Sequence, residues 1–476
     1  MPVENCGDPM NVPRLVIAGT HSGAGKTSVA LGLIGALRRR GIAVQPFKVG
    51  PDFNDSSLLT AAAGRPSRNL DTWMLPKATV LELFVRGAEG ADLAIAEGVM
   101  GLYDGYRGGS DEGSTADVAM LLHAPVVLVV DVSGSVRSAA ATALGFVAFD
   151  PAVTIAGVIA DRVGGERHLG WLRDALAGAG IPLLGALPWD DRLTLPERHL
   201  GLVPAAEGEP TGALTALADA AAAHIDIEAI VRLARQAPPV VVPGQSAFPA
   251  MTPPPSVSIG IARDRAFHFY YQDGLDLLAS RGATLTPFSP LDDARLPPTD
   301  GLYLGGGYPE LYAARLAANT GIRRQILDAV SDGMPVYAEC GGMMYLAREL
   351  VDAQGREHAM VGALPVSVHV GRSLAAIGYV TLTAHADTLL LREGDVVRGH
   401  EFHASTVTAH EPLRLAFRVE EGRGMIDGQD GAAVHSLLAS YTHLHFASKP
   451  VMAERFVDAC RRYKTGSRTR ATGHGT

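Results

Sequence analysis

The chain has 476 residues, of which 47% are hydrophobic, 19% charged and 6% aromatic, with a formal net charge of −9 at pH 7. That length exceeds one ordinary domain and the apolar fraction predicts a large core, while the acidic balance argues against a nucleic-acid-binding protein built on a basic face. Three distant cysteines (Cys6, Cys340, Cys460) cannot form a disulfide framework, no apolar run reaches the roughly 18 residues of a membrane span, and the N-terminus lacks a signal-peptide pattern; a cytoplasmic protein is expected.

From the N-terminus, short apolar runs alternate with helical patterns. RLVIAG is followed by GKTSVALGLIGALRRRG, in which Val29, Leu33, Ile34 and Leu37 share one helical face. GIAVQPFK, ADLAIAEG, APVVLVVD and VTIAGVIADR continue the series. Near-continuous Val/Ile/Ala strands suit a sheet covered on both faces, so a doubly wound α/β domain is expected over 12–236. The proline-rich stretch 237–256 breaks the rhythm and reads as a linker. A second α/β series follows over 257–462, turning to strands and loops after about residue 360. The basic end, 463–476, reads as a disordered tail.

The stretch GTHSGAGKTS (19–28) lies after a strand and opens a helix, the context a phosphate loop requires. Gly23, Gly25, Lys26, Thr27 and Ser28 would hold a nucleotide, with Lys26 on the terminal phosphates and Thr27 on Mg²⁺. The spacing departs from the usual motif, because Thr20 stands where its first glycine belongs and Gly19 lies one residue earlier. A Mg–ATP site wants carboxylates, and Asp52, Asp55, Glu97 and Asp104 fall at strand ends, where α/β sheets bind ligands. Each alone suits a cap or a solvated loop; four together favour a site. Lys48 reads equally as a phosphate ligand or a solvated charge.

In the second half, AECGGMMYL (338–346) sets a thiol between a carboxylate and two glycines, directly after a strand. Such flanks suit a nucleophile at a strained strand-to-helix turn, but this stretch taken alone reads equally as a core cysteine. A base is available in ASYTHLHFASKP, where strand alternation would put His443 and His445 on one face. Backbone donors for a tetrahedral intermediate could come from Gly341 and from Gly307 in LGGGYPE. His168, His400 and His403 carry no comparable argument, and HEFH (400–403) lacks the further ligands of a metal site. An ATP site and a thiol glutaminase on one chain fit amide synthesis: ATP activates a carboxylate as an acyl phosphate, and ammonia from glutamine displaces the phosphate.

Taken together, GTHSGAGKTSVALGL, AVQPFKVGPDF, GRPSRNLDTWML, EGVMGLYDG, FHFYYQDGLDLL, FSPLDDARLP, GLYLGGGYPELYA, YAECGGMMYL, RGHEFH and SYTHLHFAS resemble the cobyrinic acid a,c-diamide synthases of cobalamin biosynthesis. The resemblance implies a nucleotide-binding domain similar to dethiobiotin synthetase, then a class I glutamine amidotransferase domain. It implies Cys340 as nucleophile and His443 as base. Thr27, Asp52 and Glu97 would serve the metal, and Asp52, Asp55 and Asp104 the acceptor. His445 falls where ordinary class I enzymes carry the triad glutamate. ATP, Mg²⁺, glutamine and a tetrapyrrole diacid are the implied small molecules, with no nucleic acid or membrane partner and a homodimer left open. One segment departs: GPDFNDSSLL stands where the family reads GPDYIDPxFH, so 54–59 is expected to be a loop that tunes acceptor choice through Leu58 and Leu59. Hydrogenobyrinic acid, nickel sirohydrochlorin and sirohaem are alternative acceptors. The rival from another class is a phosphate-loop ATPase switch with an inert amidotransferase-like domain, which would turn over ATP without glutamine.

Overall fold

The computed structural model describes residues 9–198, 201–205, 211–242 and 246–473. The chain divides into two compact units, residues 1–245 and 246–476, parting inside the proline-rich stretch.

In the first unit, β1 (Arg14–Gly19) leads into α1 (Lys26–Arg39), then β2 (Val44–Val49), α2 (Asn54–Ala63), β3 (Arg68–Leu70), α3 (Lys77–Ala88) and β4 (Leu93–Glu97). After α4 (Thr115–Leu121) come β5 (Val126–Asp131), α5 (Arg137–Phe149), β6 (Ile155–Val163), α6 (Glu166–Gly178) and β7 (Leu183–Pro188). The sheet order is β3-β2-β4-β1-β5-β6-β7, with every pairing parallel. The chain builds one side of β1 and then the other, so the order reverses beside β1, and loops leaving β1, β2 and β4 meet at one sheet edge. Strands β1 and β2 are buried along their whole length, as helices on both faces demand.

Helix α1 buries more than the face its periodicity shows. Val29, Leu33, Ile34 and Leu37 are buried, but so are Ala30, Leu31 and Ala36. The cause is α7 (Thr211–His224), which lies across it: a Cβ on Gly32 would meet the Leu217 carbonyl at 2.8 Å, and one on Gly35 the Ala218 Cβ at 2.8 Å. Helix α8 (Ile227–Arg235) closes this layer, its N-cap Asp226 accepting from the Ala229 N–H.

The second unit has a ten-stranded sheet of β8 (Val257–Ala262), β9 (Ala283–Phe288), β10 (Gly301–Leu304), β11 (Val336–Glu339), β12 (Ala376–Ala384), β13 (Val396–His403), β14 (Leu415–Glu421), β15 (Gln429–Val434), β16 (Leu437–Ser440) and β17 (His443–Leu444). Its order is β9-β8-β10-β11-β16-β15-β14-β12-β13-β17, parallel as far as β16 and antiparallel beyond. Helices α9 (Gln272–Ser280), α10 (Ala313–Ala318), α11 (Thr320–Ser331), α12 (Gly341–Leu346) and α13 (Val451–Gly473) and a second sheet of four short strands also belong to the unit. Where a disordered tail is expected from 463, α13 instead continues to Gly473; residues 474–476 lie outside the described residues.

Candidate functional site

At the phosphate end, α1 opens at Lys26 directly after Gly25, whose φ of 93° is left-handed. Only glycine fits there, because a Cβ would also meet the Asp161 carboxylate at 2.2 Å. The displaced first glycine has a packing reason. The Lys26 stem folds over Gly19, where a Cβ would sit 2.8 Å from Lys26 Cγ. Lys26 Nζ donates to the His21 carbonyl (3.1 Å), and burial, followed by the charge of Lys48, lowers its pKa. Gly23 lies in the same loop with φ 82°, and Ser28 sits in the first turn of α1.

The carboxylates converge on Lys48, which is buried rather than solvated. Its Nζ donates to Asp55 Oδ2 (2.6 Å), Glu97 Oε1 (2.9 Å) and the Gly98 carbonyl (3.0 Å). Thr27 Oγ1 donates to the same Glu97 oxygen at 2.6 Å, and Asp52 Oδ1 accepts from the Asp55 N–H at 2.9 Å. Thr27, Lys48, Asp52, Asp55 and Glu97 are therefore one network. Burial lifts the pKa of Glu97, and burial together with the charge of Asp55 lifts Asp52 to about 7. Asp104 is exposed and outside this hydrogen-bonded network, its Oδ2 accepting from the Gly101 N–H at 2.8 Å, but its charge reaches Lys26.

The network also fits a divalent ion. Glu97 is fully buried and its Oε2 finds no hydrogen-bond donor, so a cation could take that oxygen. Among the described residues no three His, Cys, Asp or Glu side chains form a metal cage. Mg²⁺ beside a nucleotide does not need one, since phosphates and water fill most of its octahedron.

At the thiol end, Cys340 is the hinge between β11 and α12, with φ 45° and ψ −106°. A non-glycine residue in that conformation is strained, and the surroundings hold it there. The Cys340 N–H donates to the Ser440 carbonyl (2.7 Å), and Sγ donates to the Phe402 carbonyl at 3.8 Å. Asp430, fully buried, fixes the segment leading to the base: it accepts from Ser440 Oγ (2.6 Å), Thr442 Oγ1 (2.8 Å) and the Tyr441 N–H (3.1 Å). His443 is buried beside Cys340. Burial alone would lower its pKa, but the neighbouring Cys340 thiol and Glu339 carboxylate outweigh this and raise it to about 10. A Cβ on Gly341 would lie 3.0 Å from the Gly307 nitrogen, so the two glycines expected to bind an oxyanion touch each other.

His445 does not join this site. It lies in extended backbone before the turn Phe446–Ser448, its Nδ1 accepts from the Ala447 N–H (3.2 Å), and its ring packs 4.6 Å from Tyr271. Burial lowers its pKa to about 3, so it is a neutral packing residue. The strand ends at Leu444, and His445 instead caps the turn that follows, its ring held against Tyr271. His400, set aside on sequence, pairs directly with His443 across β13 and β17. His403 stacks on Tyr441 at 3.8 Å. Only the antiparallel register brings this segment to the thiol, so no local spacing signals it. Glu339 was visible as the carboxylate before the thiol, but not its position: it is 1% exposed and its Oε2 lies 3.6 Å from His443 Nδ1.

The segment 54–59 is not the loop expected. It forms the start of α2, and Leu58 and Leu59 are 2% and 0% exposed within the core below the sheet, so neither can touch an acceptor. Cys460 is buried core, and Cys6 lies outside the described residues. No helix among the described residues is long and apolar enough to cross a membrane.

Comparison with known proteins gives the same division. The profile of the CobQ/CobB/MinD/ParA nucleotide binding domain matches residues 15–203, and that of the CobB/CobQ-like glutamine amidotransferase domain matches 258–451. A cobyrinate a,c-diamide synthase of Syntrophotalea carbinolica is 47% identical over 95% of this chain and 99% of its own length. Those of Dehalococcoides mccartyi and Archaeoglobus fulgidus are 43% and 44% identical, each over 94% of this chain and 98% of their own. The chain therefore belongs to the cobyrinate a,c-diamide synthase family.

Proposed function

We propose that the protein amidates the a- and c-side-chain carboxylates of cobyrinic acid, using ATP for activation and glutamine for nitrogen. The reading is carried by one observation: a single chain holds a Cys340–His443 pair at a strained turn and a Lys26–Thr27–Glu97 phosphate-loop cluster. Cys340 as thiolate attacks the glutamine side-chain carbonyl, with the N–H groups of Gly307 and Gly341 facing the oxyanion. His443 gives its proton to the leaving nitrogen, ammonia departs, and a thioester remains. Water then attacks the thioester, His443 takes a proton from it, and glutamate leaves with the thiolate restored.

In the first unit, Lys26 neutralises the terminal phosphates while an acceptor carboxylate attacks the γ-phosphorus, releasing ADP and forming an acyl phosphate. Ammonia displaces phosphate to give the amide. Thr27, Glu97 and Asp52 would hold Mg²⁺, which supplies charge neutralisation to the phosphates when bound. Asp55 holds Lys48 and its neighbours in place, and Asp104 would serve the acceptor.

Cobyrinic acid incubated with ATP, Mg²⁺, glutamine and the protein should gain two amides by mass spectrometry. Cys340→Ala should abolish this with glutamine and retain it with ammonium, because free ammonia bypasses the thioester. Loss of both activities in a folded variant overturns the division of labour. ATP turnover independent of glutamine, ammonium and acceptor favours a switch protein instead.

A further inference from the structure

A class I amidotransferase histidine is ordinarily steadied by a carboxylate two residues later, and here that residue is the neutral, packed His445. The buried carboxylate beside the base comes from another element. Glu339 is the last residue of β11, adjacent in sequence to the thiol. Its Oε1 accepts from Tyr337 Oη (2.6 Å) and from the Leu444 N–H (3.0 Å). Its Oε2 accepts from Tyr303 Oη (3.0 Å) and faces His443 Nδ1 at 3.6 Å. The distance exceeds a hydrogen bond and suits an ion pair that tightens when substrate orders the site.

These contacts hold the carboxylate in place. Two tyrosine hydroxyls and one backbone N–H donate to Glu339, so both carboxylate oxygens are held. At this separation a buried carboxylate acts on a neighbouring cation more strongly than it would in water. The Leu444 N–H belongs to the residue after the base, so the same side chain fixes the backbone that carries His443.

We propose that Glu339 is the acid member of a Cys340–His443–Glu339 triad, a positioning residue that orients His443 and holds it as imidazolium beside the thiolate. Tyr303 and Tyr337 clamp the carboxylate. Glu339 itself neither gains nor loses a proton: the proton moves between His443, the leaving ammonia and the attacking water. The assignment rests on the thioester reading above.

The test is the pH dependence of Cys340 alkylation by iodoacetamide, with steady-state glutaminase kinetics beside it. Glu339→Gln keeps the shape and an acceptor for Leu444 but removes the charge. Its thiolate should titrate at least one pH unit higher, and kcat should fall by ~10²-fold or more with KM for glutamine little changed, the pattern of a triad carboxylate turned amide. Tyr303→Phe, which frees Oε2 of a competing donor, should move the thiolate titration the opposite way and serves if Glu339→Gln does not fold. An alkylation profile unmoved in both variants, with glutamine turnover within threefold of the parent, overturns the assignment and leaves the thioester reading intact. Glutamine-dependent amidation that survives Cys340→Ala sinks the thioester reading itself.

Discussion

Lys26 and Lys48 are the two buried lysines of the phosphate end, and their surroundings divide their work. Lys26 is bound to one backbone carbonyl and has its charge available for phosphate. Lys26→Ala should therefore lower amidation with glutamine and with ammonium alike, by at least ~10²-fold, the scale of one lost electrostatic stabiliser. Near-parental ammonium-dependent turnover would contradict that. Lys48 is spent on Asp55 and Glu97. Lys48→Met leaves a fully buried Glu97 without its cation and should cost ~3–5 kcal/mol of stability, read from urea unfolding. The histidines predict a pH optimum of stability. His400 and His445, lowered to about 3, and His403, lowered to about 4, all lie below the ordinary 6.5. As pH falls below 6.5 the unfolded chain takes up protons that the folded chain refuses. Stability present above 6.5 is then lost, at about 1.4 kcal/mol per pH unit for each histidine. His443 acts on the other side: held at about 10, it keeps a proton the unfolded chain loses, so its contribution fades from pH 6.5 to 10. His445→Gln should flatten the acid limb by one proton in urea titrations between pH 6 and 4.5; an unchanged slope would refute its buried neutral state.

Among the elements, α2 shows how family comparison and packing can part company. Its sequence departs from the family where an acceptor loop is expected, yet the departure supplies core residues. Leu59 is fully buried in the cluster that includes Leu33, Leu37 and Leu93. Leu59→Ala should cost ~2–5 kcal/mol, as other large-to-small core changes do. Relative rates on cobyrinic and hydrogenobyrinic acid should stay unchanged; an altered acceptor preference at intact stability would restore the loop reading. Strand β17 is the complementary case. It is two residues long, and the turn that follows takes His445 as its cap, so only His443 serves the thiol.

On the scale of the whole molecule, the two units part within 237–256 and each has its own core. Limited proteolysis of the intact chain should cut in that stretch and yield two resistant fragments. ATP with Mg²⁺ should raise the thermal midpoint of the N-terminal fragment alone, by mass action worth about 2.7 kcal/mol at a hundredfold excess over Kd. Protection of both fragments, or primary cleavage elsewhere, would count against this division.

What the sequence determined by itself was local: the alternation of strands and helices, the phosphate loop between β1 and α1, the proline-rich break, and a thiol at a strand-to-helix turn. Each depends on residues within a few positions of one another, where periodicity and glycine leave a direct trace. The tertiary structure decided the rest. Lys48, Asp55 and Glu97 become one network because β2 and β4 are parallel neighbours, with Lys48 in register with Glu97. His400 meets His443 through antiparallel pairing, and Glu339 reaches His443 because β11 lies beside β16 and receives the Leu444 N–H. Strand order and register arise from contacts between residues far apart along the chain, and no short motif encodes them.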